Sequence, residues 1–227
     1  MYSLEDAIVA FSNGEFVLIH DDKGRENEVD MVIAAQFVTP KHVGMMRRNA
    51  GGLICTAIPY ESALKLGLMY MHDILEHVST NAPMLSKMIL SKAPYGDRSS
   101  FSISVNHRDT YTGITDNDRA LTINKMAEVC RNINSNGPEV FANSFRAPGH
   151  VPILIASKGL LNDRMGHTEL CMYLAKVSGL IHSIAMCEML DLNTHHAMTI
   201  EEAEKYAIRN NIFILEASQL KTYAKAV

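Results

Sequence analysis

The stretch FVLIHDDKGRENEVDMVIAA (16–35) places a run of charge between two apolar segments. FVLI before it and MVIAA after it have the composition of buried β-strands, so we predict strands over 15–20 and 29–38. The residues between them include Lys23 and Arg25, but within ten positions they also carry five acids: Asp21, Asp22, Glu26, Glu28 and Asp30. Two interpretations are open at this point, a solvated charged turn or a group of carboxylates that surrounds a cation.

Segments of strand character recur along the rest of the chain and alternate with helical patterns. Further strands are predicted at 53–58, 100–106, 151–157, 180–190 and 212–217. Helices are predicted from the Ser3 cap to Asn13, and over 40–50, 60–66, 116–133, 168–178 and 200–209. The mixed segment 70–98 allows only a helix near 84–91. This order, without a Ser/Pro-rich linker or a repeat, predicts a single domain, 1–227, of the α+β class, in which helices flank a mixed β-sheet.

The composition narrows the class of protein. Hydrophobic residues make up 47% and charged residues 20%, and the net charge of −4 argues against a broad nucleic-acid-binding face. The first ten residues, MYSLEDAIVA, lack the basic start of a secretory signal, and no apolar run has the length of a membrane span. The four cysteines form no CxxC pair. We therefore expect a cytoplasmic protein with reduced cysteines and no membrane partner.

The acidic stretch has a geometric consequence if it is a strand. Alternation would put Glu26, Glu28 and Asp30 on one face, about 7 Å apart. Neighbouring carboxylates at that spacing repel by about 1 kcal/mol or more at an intermediate dielectric. A hard divalent cation such as Mg²⁺ removes that cost, because it takes oxygen ligands.

Two further positions are candidates for acid/base chemistry. His150 in FRAPGHVP (145–152) follows a Pro-Gly turn. Because histidine is the usual acid/base side chain near neutral pH, His150 is either a general base or a surface residue. Glu188 interrupts the apolar strand 180–190, and an acid there is either a buried proton donor and acceptor or an exposed edge residue.

Two helix entries have the residues of an anion site. In DRMGHTEL (163–170), Arg164, the Thr168 hydroxyl and the first helical N–H groups suit a phosphate, and His167 could ligate a metal. The plainer interpretation is that Thr168 caps the helix. YTGITDNDR (111–119) offers Thr112 before a helix capped by Asp116 or Asn117, a pattern too common to decide a function alone.

The motifs RENEVD, TGITDNDR, RAPGH and RMGHTE occur in the order found in the 3,4-dihydroxy-2-butanone 4-phosphate synthase family, and the chain resembles that family from about Asp21 to Glu188. The resemblance implies a homodimer of three-layer α+β fold that uses Mg²⁺, with Mn²⁺ as an alternative, and no organic cofactor. It implies conversion of D-ribulose 5-phosphate to L-3,4-dihydroxy-2-butanone 4-phosphate and formate in riboflavin biosynthesis. The expected route is a metal-stabilised enediolate, dehydration, skeletal rearrangement and loss of C4.

Residue roles are also implied by the resemblance. The metal ligands would be Glu26 and His167, and the catalytic residues would be His150, Glu188, Glu28 and Asp21. Substrate contacts would come from Arg25, Glu26, Asp30, Cys55, Thr112, Arg164, Gly166, His167, Thr168 and Glu188. The chain departs from the family pattern at Gly24, Val29 and Ala147, and the last of these leaves the role of Arg146 open.

Two rival functions accompany this expectation. One is a metal-dependent isomerase or aldolase acting on a related sugar phosphate, which would release no formate. The other is a nucleotide- or RNA-binding module, against which the net charge of −4 argues. Some family members are fused to GTP cyclohydrolase II. We expect a monofunctional enzyme, because the chain ends soon after the last motif and has no cysteine cluster for that domain's zinc site.

Overall fold

One mixed sheet of seven strands runs through the residues that the computed structural model describes, 3–89 and 92–226. The strands are β1 (Val17–His20), β2 (Val29–Ala34), β3 (Cys55–Ile58), β4 (Phe101–His107), β5 (Phe145–Ile155), β6 (Ile184–Glu188) and β7 (Phe213–Glu216). Their spatial order is β4-β5-β3-β6-β2-β1-β7. The pairs β1–β7 and β3–β5 are parallel and the other neighbours are antiparallel, which confirms the predicted mixed sheet.

Helices connect the strands. They are α1 (Leu4–Ser12), α2 (Pro40–Met45), α3 (Tyr60–Lys65), α4 (Met71–Ser79), α5 (Pro83–Ser86), α6 (Asp116–Arg131), α7 (Gly137–Ser144), α8 (His167–Val177), α9 (Ile200–Asn210) and α10 (Ala217–Ala226). The Ser3 hydroxyl accepts the Asp6 N–H, so the predicted cap of α1 is confirmed. Within the described ranges, each helix is too short or too polar to cross a bilayer.

The sheet is the middle of three layers because its side chains alternate between two apolar clusters. Val32 and Ala34 of β2 belong to a cluster that includes the inner faces of α1, α8 and α10. Met31 and Ile33, the intervening residues, pack in a second cluster with α2, α6 and α9. Each of these side chains is fully buried, and burial of one large apolar side chain contributes about 1.5–3 kcal/mol. The predicted α+β class and flanked sheet are confirmed.

Several predicted boundaries are wrong. β2 ends at Ala34, where a 3₁₀ turn follows instead of strand to residue 38, and the helix predicted over 40–50 passes into a π turn after Met45. β6 occupies only the middle of the predicted 180–190. The helix predicted near 84–91 corresponds only to the short α5; residues 90 and 91 lie outside the described ranges.

Three helices, α4, α7 and α10, were not predicted. For two of them the physical reason is a missing boundary. α7 ends at Ser144 and β5 begins at Phe145, while β7 ends at Glu216 and α10 begins at Ala217. No turn residue separates these elements, so the sequence carries no signal for the change of backbone conformation. α4 buries none of its residues and lies in the mixed segment.

We expect replacement of Leu174 by alanine to lower the free energy of unfolding by about 2–5 kcal/mol, because this α8 side chain is fully buried against the sheet. Leu64→Ala in α3 is the matched control, since Leu64 is 59% exposed, and it should cost less than about 1 kcal/mol. Urea denaturation of both variants measures the difference. Equal losses would contradict the position of α8 in the core.

Candidate functional site

The acidic connection between β1 and β2 folds around a buried carboxylate. Asp21 is 2% exposed, and its Oδ2 accepts the Glu26 N–H at 3.1 Å and an Arg25 Nη1–H at 3.0 Å. Its Oδ1 accepts the Glu28 N–H, also at 3.1 Å. Residues 22–24 form an exposed turn, but Asp21 orders the backbone of the rest of the loop, so the solvated-turn interpretation holds only for that part of the connection.

The expected strand geometry of this stretch is wrong in one respect. Glu26 and Glu28 precede β2, and Asn27 between them has a left-handed φ of +55°, so regular alternation starts only at Val29. The carboxylates of Glu26, Glu28 and Asp30 nevertheless lie close enough to interact electrostatically. The turn at Asn27, and not a shared face of a β-strand, brings these carboxylates together.

His167, the first residue of α8, connects this loop to the helix. Its Nδ1 lies 3.1 Å from Glu26 Oε2, its Nε2 lies 3.1 Å from the Glu28 carbonyl oxygen, and Asp30 Oδ1 is 3.9 Å from Nε2. Since both ring nitrogens face acceptors, the ring is held as an imidazolium.

The charges around the imidazolium change the pKa values of His167 and of Glu26. Burial lowers the pKa of His167, but the charge of Asp30, the hydrogen bond to Glu26 and the charge of Asp21 outweigh burial and raise it to about 10. Burial raises the pKa of Glu26. Hydrogen bonds from His167 and Tyr95, together with the positive charges of His167 and Arg25, outweigh burial and lower this pKa to about 2.

Two acids face each other across β2 and β6. Asp30 pairs in register with Glu188, and burial, reinforced by the charges of Glu188, Glu26 and Glu28, raises the pKa of Asp30 to about 7. Glu188 Oε2 accepts the Leu53 N–H at 2.8 Å. Gly52 leaves room for this contact, since a Cβ there would lie 2.5 Å from the same oxygen. Burial and the charge of Glu26 also raise the pKa of Glu28.

A cavity of about 90 Å³ brings six of the predicted residues together: Glu26, Asp30, Arg164, His167, Thr168 and Glu188. Cys55 is buried in the core nearby, opposite Met186 of the cavity wall, and burial, with the charges of Glu188 and Asp30, raises the pKa of its thiol. All four cysteines are unpaired and buried, as expected for reduced thiols. The cavity wall also includes Tyr95, Ser99 and Ser100, which the sequence did not single out.

The basic side chains of the site share one acidic partner. Asp97 Oδ2 accepts N–H groups of Arg25 at 2.7 and 3.0 Å and lies 3.5 Å from Arg164 Nε. Tyr95 stacks under the Arg25 guanidinium, 4.9 Å from it. Arg164 also donates to Glu169 Oε2 at 2.6 Å. Sequence reasoning missed Asp97 because it lies in the mixed segment 70–98.

The start of α8 differs from expectation by one residue. The helix begins at His167, and Gly166 is its N-cap, so the interpretation of Thr168 as the cap is wrong. Thr168, in the first turn of the helix, lines the cavity. Gly166 lets Arg164 fold across the helix start, since a Cβ there would collide with the guanidinium.

RAPGH lies within β5 and not in a turn before it, which corrects the expected position of His150. Asn106 pairs with Arg146 and Val105 with Val151, so residues 147–150 bulge out of the β4–β5 ladder. His150 is exposed on this bulge. β5 is separated from β6 by β3 alone, which corresponds to about 10 Å at two strand spacings.

The helix entry TGITDNDR lies against the same bulge. Thr115, and not Asp116 or Asn117, is the N-cap of α6, and the exposed Thr112 has its hydroxyl 3.4 Å from Asp118 Oδ2. Arg146 donates to the carbonyl oxygens of residues 110 and 111 at 3.2 and 3.1 Å. Arg146 thus anchors this loop, despite the additional Ala147.

The donor set fits a hard divalent cation. Asp21, Glu26 and His167 each offer a ligand atom, and these atoms lie within 4.8 Å of one another. Both Asp21 oxygens are already engaged in hydrogen bonds, whereas Asp30 Oδ1 is buried without a hydrogen-bond partner among the described residues. Carboxylate oxygens with one imidazole nitrogen are ligands that Mg²⁺ and Mn²⁺ accept.

Known proteins resemble this chain over nearly its whole length. A family model described as 3,4-dihydroxy-2-butanone 4-phosphate synthase matches residues 5–223. The enzyme of that name from Methanothermobacter thermautotrophicus is 43% identical over 217 residues, 96% of this chain and 93% of that protein. The crystal structure of the Candida albicans enzyme is 30% identical, with a TM-score of 0.76 over 99% of this chain and 98% of that one.

A second crystal structure, of 3,4-dihydroxy-2-butanone 4-phosphate synthase in complex with two magnesium ions, is 26% identical to this chain. Its TM-score is 0.79, and the match covers 100% of this chain and 98% of that one. The similarity therefore includes a solved structure that contains the type of cation which the donor set fits.

We expect binding of Mg²⁺ or Mn²⁺ to release about one proton between pH 7 and 10, because His167, with a pKa of about 10, must be neutral to ligate a metal. Below pH 7 Asp30, with a pKa of about 7, should add to the release. Affinity should rise roughly tenfold per pH unit across the upper range. Calorimetric titration in buffers of different ionisation enthalpy counts the protons.

His167→Gln should weaken metal binding and remove the proton released near pH 8. The matched control is His77→Gln on α4, where the ring contacts only a carbonyl of its own helical turn among the described hydrogen bonds. Binding to the unchanged protein at pH 8 without proton release would contradict the imidazolium assignment.

Proposed function

The chain belongs to the 3,4-dihydroxy-2-butanone 4-phosphate synthase family, lyases of riboflavin biosynthesis, and we propose that it converts D-ribulose 5-phosphate to L-3,4-dihydroxy-2-butanone 4-phosphate and formate. The observation that carries the proposal is the cavity in which Glu26, Asp30 and His167 adjoin Arg164 and Thr168. It combines a carboxylate–imidazole metal site with an anion site at the first turn of a helix. A small sugar phosphate needs both.

The phosphate would be held by Arg164, the Thr168 hydroxyl and the N–H groups at the start of α8. These groups are fixed in place, since Thr168 is buried and Arg164 is paired with the fully buried Glu169. Arg25 adds a second guanidinium through its shared contact with Asp97. Anchoring the substrate away from its reacting carbons uses binding energy for orientation.

Glu26 and His167 would hold the metal. A bound Mg²⁺ would draw electron density from adjacent substrate oxygens and so favour removal of the neighbouring C–H proton. The proton would be taken by a carboxylate of raised pKa, and Glu28 and Asp30 both have that property. Glu188, opposite Asp30, and His150 would serve the later proton transfers, while Asp21 keeps the loop in its folded form.

We also propose that the enzyme is a homodimer. Several apolar side chains that are close in sequence to site residues are exposed in the single chain: Leu53, Tyr111, Ile114, Leu190 and Leu192. Leu53 donates its N–H to Glu188, and Tyr111 and Ile114 flank Thr112, so a second copy on this surface would enclose both groups of site residues. We further propose that Mn²⁺ can replace Mg²⁺, that no organic cofactor or nucleic acid takes part, and that the enzyme works in the cytoplasm.

Formate release tests the proposal. The purified protein with D-ribulose 5-phosphate and Mg²⁺ should release one formate per substrate consumed, and a chelator should stop the reaction because the metal site is emptied. Coupled detection of formate measures the rate. Consumption of substrate without formate would favour the rival isomerase or aldolase, and an unchanged rate in EDTA would exclude a metal-dependent reaction.

Replacement of His150 by serine should lower kcat by roughly 10²- to 10⁴-fold, the range for loss of a positioned proton-transfer group. The fold should be unaffected because His150 is exposed. His77→Ser on α4 is the matched control and should retain the full rate. Near-normal turnover by the His150 variant would remove this residue from the reaction.

A further inference from the structure

A buried asparagine fills the bulge that carries His150. Asn106 is the last but one residue of β4 and is 3% exposed. Its Oδ1 accepts the backbone N–H of His150 at 2.8 Å. Its Nδ2 lies 3.3 Å from the Thr112 carbonyl oxygen and 3.2 Å from His150 Nδ1.

These partners determine the orientation of the Asn106 amide. The backbone N–H of His150 can only donate, so it requires the amide oxygen. The Thr112 carbonyl can only accept, so it requires the amide nitrogen. With the amide fixed from both ends, the group that faces His150 Nδ1 is an N–H donor, and Nδ1 must accept from it.

Two glycines of the sequence motifs allow this arrangement. A Cβ on Gly113 of TGITDNDR would collide with the Asn106 amide, and Gly113 has a φ of +96°. A Cβ on Gly149 of RAPGH would collide with the β4 backbone at Val105. The two motifs therefore close on Asn106 from opposite sides, and Arg146 anchors the loop next to them.

We propose that Asn106 is a positioning residue that holds His150 in the tautomer with its proton on Nε2. A proton on Nδ1 would set two N–H donors face to face across 3.2 Å. The exposed edge of the ring then presents an Nε2–H group, so His150 meets the substrate as a hydrogen-bond and proton donor through Nε2 and not as a base. Such a donor suits an oxygen on which negative charge develops during enolisation.

The identity of the substrate in this inference rests on the proposed function, whereas the tautomer of His150 does not. The tautomer can be read directly from long-range ¹⁵N–¹H NMR spectra of histidine-labelled protein at about pH 8.5, well above the ordinary histidine pKa of about 6.5. The His150 signals are assigned by their loss in His150→Ser. We expect the Nε2-protonated pattern, and the Nδ1-protonated pattern in the unchanged protein would overturn the inference without any variant.

Asn106→Asp supplies the second test. The new carboxylate still accepts the His150 backbone N–H, but its other oxygen now requires a proton on Nδ1, so the tautomer should reverse. We expect kcat to fall by roughly 10²-fold or more with little change in KM, as for a catalytic histidine in the wrong tautomer. Asn124→Asp in α6 is the matched control, because Asn124 donates to the carbonyls of Ala35 and Gln36.

The outcomes separate the two hypotheses. Absence of formate with the unchanged protein counts against the proposed function. In an active protein, a reversed tautomer with an unchanged kcat would overturn the positioning role. A loss of kcat equal in the Asn106 and Asn124 variants would likewise overturn it, since the effect would then be structural.

Discussion

The site depends on one buried carboxylate. Asp21 is almost inaccessible, and burial of an unpaired carboxylate would cost several kcal/mol. The chain offsets that cost with Arg25 and two backbone N–H groups, and in doing so it fixes the conformation of the loop from 21 to 28. This loop sets the position of Glu26 and Glu28 relative to His167. The arrangement of charged groups in the cavity thus depends on the hydrogen bonds that Asp21 accepts.

The topology of the sheet explains why distant motifs meet. β2 is antiparallel to both β1 and β6, so the end of β1, the start of β2 and the end of β6 lie at one end of the sheet. β3 is antiparallel to β6 and β5 is parallel to β3, which brings the starts of β3 and β5 to the same end of the sheet. RENEVD therefore lies at the same end of the sheet as RAPGH and Glu188, although more than a hundred residues separate it from either of them.

Sequence reasoning succeeded where chemistry and spacing agree. All seven strands were predicted, from apolar runs or from alternation of apolar and polar residues. Glu26, Asp30 and Glu188 were singled out because acids beside or within apolar runs are costly without a partner, and His167 because it lies at a helix entry with the residues of an anion site. It failed where a contact is set by tertiary structure. The left-handed Asn27 changes which carboxylates share a face, and Asn106 looks like any polar strand residue until β5 bulges around it. Asp97 lies in a segment without periodicity, so only the folded chain brings it to two arginines.

The charge balance of the cavity points to the ligands it would take. In the folded chain the His167 imidazolium supplies the positive charge among Glu26, Glu28 and Asp30, at a position where a divalent ion would supply more. Asp97 supplies the negative charge between Arg25 and Arg164, where a substrate phosphate would supply more. His167 keeps the carboxylates, and Asp97 keeps the arginines, from being buried without an opposite charge. Burial of an unpaired charge is what costs free energy. A cation and an anion that enter together would replace both internal partners at once, so a phosphorylated substrate and its metal fit this site better as a pair than either does separately.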